Sequence, residues 1–170
     1  MNERQQNTIE LTHPLEPLYD KNSHVLILGS FPSPASRKAL FYYGHPQNRF
    51  WKVLSSVLNQ ELPPNNQEKK AMCLKYGVAI WDVLQSCKIK GAADSSIRKA
   101  IPNNLSFIFK TAPIKAVFTI GSTANILYNK FLKDKLGMQA IALPSTSSAN
   151  NRYNMQDLIK AYQQILLYIK

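Results

Sequence analysis

Apolar positions along the chain fall into short continuous runs separated by longer amphipathic segments. Val25-Leu26-Ile27-Leu28 is an unbroken aliphatic run, the pattern of a strand covered on both faces in a parallel sheet. Val78 to Asp82, Lys115 to Ile120 and Met138 to Leu143 read as three further strands. Between them the spacing turns helical. Phe50, Trp51, Val53, Leu54, Val57 and Leu58 predict an amphipathic helix opening near Asn48, which is placed to cap it. Pro63-Pro64 ends that unit, Asn65 or Asn66 caps a helix to about Tyr76, and Gly77 closes it. Shorter helices are expected over Asn103–Lys110 and Ala124–Phe131. The last runs from Met155 to Ile169, with Leu158, Ile159, Tyr162, Ile165, Leu166 and Ile169 on one face.

Strands alternating with helices predict a three-layer α/β domain on a mostly parallel sheet. A length of 170 residues suits one domain, 1–170. Residues up to about Ser23 carry Pro14 and Pro17 and read as a loosely packed N-terminal arm, with Leu15, Pro17 and Leu18 as anchors. Three segments break the pattern: the long loop opening at Gly29, a polar and irregular stretch from Gln85 to Ser96, and Pro144 to Asn151. These follow the first, second and fourth strands. In a parallel sheet they open at one edge, where α/β folds bind ligands.

Charge changes the picture. Twenty-one Lys and Arg against ten Asp and Glu give +11, with an isoelectric point near 9.7. That balance favours a polyanionic partner, nucleic acid before anionic membrane. The basic residues are scattered, so folding must gather them on one face. No apolar run reaches membrane-spanning length, and the polar first six residues lack a leader's apolar core, so a cytoplasmic protein is expected. Cys73 and Cys87 read as buried thiols.

Common catalytic signatures are missing. Neither phosphate-cradling glycine motif occurs, nor H-E-x-x-H, nor a G-x-S-x-G elbow. Three dispersed histidines make a poor metal site. What remains is chemistry by amides, hydroxyls and one or two carboxylates. The Ser/Thr/Asn-rich run from Pro144 to Asn151 fits phosphate contact, or equally a solvated turn with a capping Asn. Tyr42-Tyr43 offers a face for a base, or two packed tyrosines. Asp82, ending a buried run, is either a cap or a site residue.

Four motifs in order carry a resemblance: Gly29-Ser30-Phe31-Pro32-Ser33, His45-Pro46-Gln47-Asn48-Arg49-Phe50-Trp51, Ile80-Trp81-Asp82 and Leu143-Pro144-Ser145-Thr146-Ser147. Together the stretch resembles the uracil-DNA glycosylase superfamily, in its hypoxanthine-DNA (deoxyinosine) glycosylase branch. The resemblance implies a three-layer α/β/α sandwich with a four-stranded parallel sheet. It also implies a monofunctional base-excision enzyme that acts on DNA as a monomer, without metal or other cofactor. The target nucleotide leaves the stack, enters a pocket and loses its base to water. Carried onto this chain, Asn48 and Ser30 are the catalytic candidates. Ser30 stands at or near the place where many relatives hold water with an acid or Asn, so the burden is expected to move to Asn48. Tyr43 matches the stacking aromatic, and Asp82 stands where relatives often place a base-reading Asn. Phe31 and His45 complete the base-binding set. Ser145, Thr146 and Ser147 match a loop that pinches the DNA backbone, with Asn150 assisting and Arg152 or Tyr153 as the wedge into the duplex. The Asp at position 82 favours hypoxanthine over uracil. The resemblance leaves a uracil- or mismatch-specific DNA glycosylase as an alternative, and the missing motif-one carboxylate admits another, a catalytically silent DNA-binding protein on the same fold.

Overall fold

The computed structural model describes residues 8–169. The first seven residues, with the start of the expected arm and the stretch read for a leader, lie outside the described residues.

In chain order the elements are β1 (Ile9–Thr12), β2 (Val25–Gly29), α1 (Pro34–Ala39), α2 (Phe50–Val57), α3 (Asn66–Lys75) and β3 (Val78–Asp82). The antiparallel strands β4 (Leu84–Lys90) and β5 (Ala93–Pro102) follow, then α4 (Ser106–Thr111), β6 (Ala116–Ile120), α5 (Ser122–Phe131), α6 (Lys133–Leu136) and β7 (Ala140–Leu143). The last elements are α7 (Met155–Tyr162) and a 3-10 turn over Gln163–Leu167. The four aliphatic runs form one parallel sheet in the order β3-β2-β6-β7, the α/β/α fold expected. Val25, Leu26, Ile27 and Leu28 are fully buried at its centre. Helix α5 packs on β6 and β7, α3 on β3, and α2 against α7. From β2 the chain goes to β3 on one side, then returns to β6 on the other. That reversal opens a crevice beyond the strands' carboxyl ends.

Three expectations need correction. The arm is not loose. β1 pairs antiparallel with β4, Leu18 bridges to Ile80, and Leu15 and Leu18 are buried, because Trp81 Nε1 donates to the Leu15 carbonyl at 3.0 Å. The stretch from Gln85 to Ser96 is not irregular but most of a hairpin that forms a second sheet, β1-β4-β5. Register shifts between β4 and β5 break the two-residue alternation that would have marked them as strands. The last helix stops at Tyr162 and tightens into the 3-10 turn. Leu158, Tyr162 and Ile165 are fully buried, whereas Leu166 turns out to solvent. Among the described residues no helix is long and apolar enough to cross a membrane. Cys73 and Cys87 are buried free thiols, and burial pushes Cys73 up to about 12.

Candidate active site

A recess of about 360 Å³ lies at the carboxyl ends of the parallel strands. Its size falls in the range of small-molecule sites, about 300–1,000 Å³. Gly29 to Ser33 after β2, Asp82 at the end of β3, Ile120 at the end of β6 and Ser145 to Ser148 after β7 all line it. The β4–β5 turn, with Gly91 and Ala92, and Asp94 at the start of β5 close another side. Of the residues singled out in the sequence, Ser30, Phe31, Tyr43, His45 and Asn48 line this recess, as do Asp82, Ser145, Thr146 and Ser147. Asn150 and Arg152 are not among the lining residues. Asn150 instead braces the loop, donating from Nδ2 to the Ser145 carbonyl at 2.9 Å, and Arg152 is exposed.

Asn48 sits just ahead of α2. Its Oδ1 accepts from the Phe50 amide and from Thr146 Oγ1, each at 2.9 Å. The amide N–H fixes which side-chain atom is the oxygen. With two donors on Oδ1, the group Asn48 has left to offer the recess is its NH₂, a donor. Thr146 is 1 % exposed, so its hydroxyl holds Asn48 rather than reaching outward to DNA. Ser145 and Ser147 accept from the amides of Ser147 and Ala149, each at 3.2 Å, which leaves both hydroxyl protons free for an acceptor.

Arg49 organises the loop that carries these residues. Its guanidinium donates to the carbonyls of Tyr153 (2.6 Å), Ser147 (2.8 Å), Asn150 (3.1 Å) and Thr146 (3.4 Å). The five-donor fork of arginine suits this task, and lysine would not reproduce it. Tyr162 supports the same loop from below, its hydroxyl donating to the Pro144 carbonyl at 2.7 Å.

Asp82 faces Gly29 across the β2–β3 register. A Cβ at Gly29 would stand 2.5 Å from Asp82 Oδ1, so glycine is required there by contact, not by backbone angle. Asn103 clamps the β3 end, donating from Nδ2 to the carbonyls of Asp82 (2.9 Å) and Leu84 (3.1 Å). Oδ2 of Asp82 lies 2.7 Å from His13 Nε2.

Tyr43 adopts a left-handed backbone, φ 52°, which aims its ring onto Phe50 at 3.8 Å between centroids. One ring face is thereby covered. Its hydroxyl is buried with no hydrogen-bond partner among the described residues, and burial together with the charge of Asp82 pushes it well above the usual phenol range. Tyr42 is structural: its hydroxyl donates to the Glu16 carbonyl at 2.7 Å and its carbonyl accepts from Trp51 Nε1 at 2.9 Å. At the mouth, His45 is exposed, with Nδ1 accepting from the Gln47 amide at 3.1 Å.

Sequence reasoning missed a carboxylate. Ser30 Oγ donates to Asp94 Oδ2 at 2.9 Å across the recess. Burial, reinforced by the Asp82 charge, raises Asp94 above the ordinary carboxylate range, and the Ser30 hydrogen bond partly offsets this. The sequence placed Asp94 in a candidate site stretch, Gly91 to Ser96, but gave the acid itself no role. Arg37, also missed, donates to the Pro32 carbonyl at 2.8 Å and lies 5.8 Å over the Phe31 ring. Among the described residues no group of three or more His, Cys, Asp or Glu side chains is placed to hold a metal ion.

A parallel-sheet α/β/α fold with a polar, aromatic-lined recess at its strand ends places the chain among α/β proteins whose ligand sites lie beyond the carboxyl ends of the parallel strands. Within that class the chain belongs to the uracil DNA glycosylase superfamily, whose model matches residues 16–167. It is 32 % identical over 137 residues to a hypoxanthine DNA glycosylase of Methanosarcina barkeri, covering 80 % of this chain and 86 % of that protein. It is also 32 % identical over 136 residues to a hypoxanthine DNA glycosylase of Methanosarcina acetivorans, covering 79 % and 85 %. A solution NMR structure of a Methanosarcina acetivorans protein, provisionally named a uracil DNA glycosylase, matches with a TM-score of 0.77 at 24 % identity. It covers 93 % of this chain and 99 % of that one, and it speaks for the fold.

Proposed function

We propose that this protein hydrolyses the N-glycosidic bond of deaminated bases in DNA, hypoxanthine in deoxyinosine first, acting as a monomer in the cytoplasm. The observation that carries this reading is the convergence on one recess of Tyr43 and Asn48, from the loop before α2, and Asp82, from the end of β3. The names of the two Methanosarcina relatives support the choice of hypoxanthine.

In this reading the nucleotide swings out of the duplex, which costs a few kcal/mol and least for a mispaired base. Serine hydroxyls 145 and 147 donate to backbone phosphates. The NH₂ of Asn48 donates to the departing base, where negative charge grows as the bond to C1′ lengthens. Ser30 holds the attacking water. As the water oxygen bonds to C1′, its proton passes to the Ser30 hydroxyl while the Ser30 proton passes to Asp94. The electron pair of the broken bond leaves with the base. Asp94 thus supplies the carboxylate that the first motif lacks. No cofactor is needed for these steps.

The test is a panel of duplexes carrying one deoxyinosine, deoxyuridine or deoxyxanthosine, incubated with protein and then cleaved in alkali. Cleavage is expected first at deoxyinosine. Intact strands throughout would leave the catalytically silent reading in place.

A further inference from the structure

The residue that the glycosylase reading leaves unused is His13, brought to the back of the recess by β1. We propose that His13 is a positioning residue that fixes Asp82 as a hydrogen-bond acceptor, and that this acceptor selects bases with an N–H beside a carbonyl. The inference rests on the glycosylase reading and names how that site tells its substrate apart.

The hydrogen bonds settle the histidine's tautomer. The Leu15 amide donates to His13 Nδ1 at 3.1 Å, so Nδ1 carries no proton. The ring's N–H is then on Nε2, 2.7 Å from Asp82 Oδ2. Both side chains are buried, 2 % and 7 % exposed. The ring cannot easily turn away. Phe31 and Trp81 meet it edge-on at 5.8 and 6.0 Å, and the His13 amide is tied to the Gln85 carbonyl at 2.6 Å. Oδ2 is therefore committed to His13, and Oδ1 is left as an acceptor above the bare α-carbon of Gly29.

A second observation points to a ligand at the same place. The Tyr43 hydroxyl, buried without a partner, lies 3.6 Å from the point that a Gly29 Cβ would occupy, and Asp82 Oδ1 lies 2.5 Å from it. An acceptor and a hydroxyl without a partner thus both lie against Gly29 in the lining of the recess. Hypoxanthine presents N1–H next to C6=O, which matches both. Adenine presents a lone pair next to an amino group, which mismatches both. Cytosine and uracil differ in the same sense, so deamination itself converts a rejected edge into an accepted one. Guanine shares the N1–H, and its rejection falls to the higher cost of extruding a well-paired base.

The test compares excision of deoxyinosine with that of 1-methyl-deoxyinosine, whose N1–H is replaced by N–CH₃, by wild type and His13→Ala. Wild type should prefer deoxyinosine by roughly a hundredfold or more in kcat/KM, since a site built around a hydrogen bond rejects the analogue lacking it. His13→Ala should narrow that ratio by at least about tenfold, because Asp82 is no longer held. A merely structural His13 would lower both rates and leave the ratio unchanged, which would overturn the inference. If the variant does not fold, the wild-type imidazole ¹⁵N spectrum at neutral pH decides. A ring protonated on Nε2 alone is expected, and a proton on Nδ1 would overturn the assignment. If wild type excises neither nucleotide, the glycosylase reading itself has failed, with the histidine spectrum unaffected.

Discussion

Thr146 Oγ1 donates to Asn48 Oδ1 at 2.9 Å across 98 residues of sequence, joining the loop after β7 to the entrance of α2. The bond turns a side chain that could accept or donate into one that only donates. Removing the hydroxyl with Thr146→Val should lower kcat about tenfold or more with little change in KM, since it loosens the donor rather than the DNA contacts. Asn48→Ala should cost at least about 10²-fold in kcat while DNA binding stays nearly intact, the scale of losing one pre-organised donor. Single-turnover rates and a binding titration on the same duplex check both. Full activity in Asn48→Ala would refute its role.

Gly29 is the second point of dependence. A methyl group there would meet Asp82 Oδ1 at 2.5 Å, and that oxygen is held in place by the His13 bond on its twin. Gly29→Ala should therefore destabilise the protein by about 1–3 kcal/mol, as overpacking does. It should also raise KM for deoxyinosine. Chemical denaturation and steady-state kinetics report the two effects separately.

The pairing of Ser30 with Asp94 predicts the acid side of the pH profile. Asp94 must be ionised to receive a proton, and burial has raised it. Activity should thus fall as pH drops through a value above the ordinary Asp figure of about 3.9. Asp94→Asn should lower kcat by about 10²-fold or more and flatten that limb. A limb that survives the substitution would assign the titration elsewhere.

Tyr43 sets stability against function. Its buried hydroxyl has no hydrogen-bond partner among the described residues. Tyr43→Phe should stabilise the fold by about 1 kcal/mol, the order of an unmet hydrogen bond, while lowering kcat/KM for deoxyinosine about tenfold. Thermal unfolding and excision kinetics should therefore move in opposite directions.

The sheet was legible because each strand carries its own signal. Four aliphatic runs bounded by turn residues needed no knowledge of their partners, and they pair as the pattern predicts. Two helix caps were legible for the same local reason, with Asn65 accepting from the Glu68 amide and Asn154 closing a capping box with Asp157, whereas the cap position of α2 falls to Arg49 and not to Asn48. The β4–β5 hairpin was not, since its bulges scramble the alternation and its buried face is only Leu84, Cys87 and Ile89. Gly91 to Ser96 stood out as a site stretch, but without the hairpin nothing showed that the start of β5 delivers Asp94 to Ser30. His13 was passed over because nothing near it in sequence announces a partner 69 residues away. Arg49 was visible as part of a motif, but its task of gathering four carbonyls exists only once the loop has folded onto it. Local signals reached the scaffold and several side chains of the recess. The long-range bonds that assign those side chains their chemistry were beyond them.

The most direct measurement is release of free hypoxanthine from a duplex with one deoxyinosine, followed by chromatography under single-turnover conditions in excess chelator. The account predicts one equivalent of base per duplex, with the sugar strand left unbroken until alkali is added. No base released, or release that stops when metal is withdrawn, would contradict it.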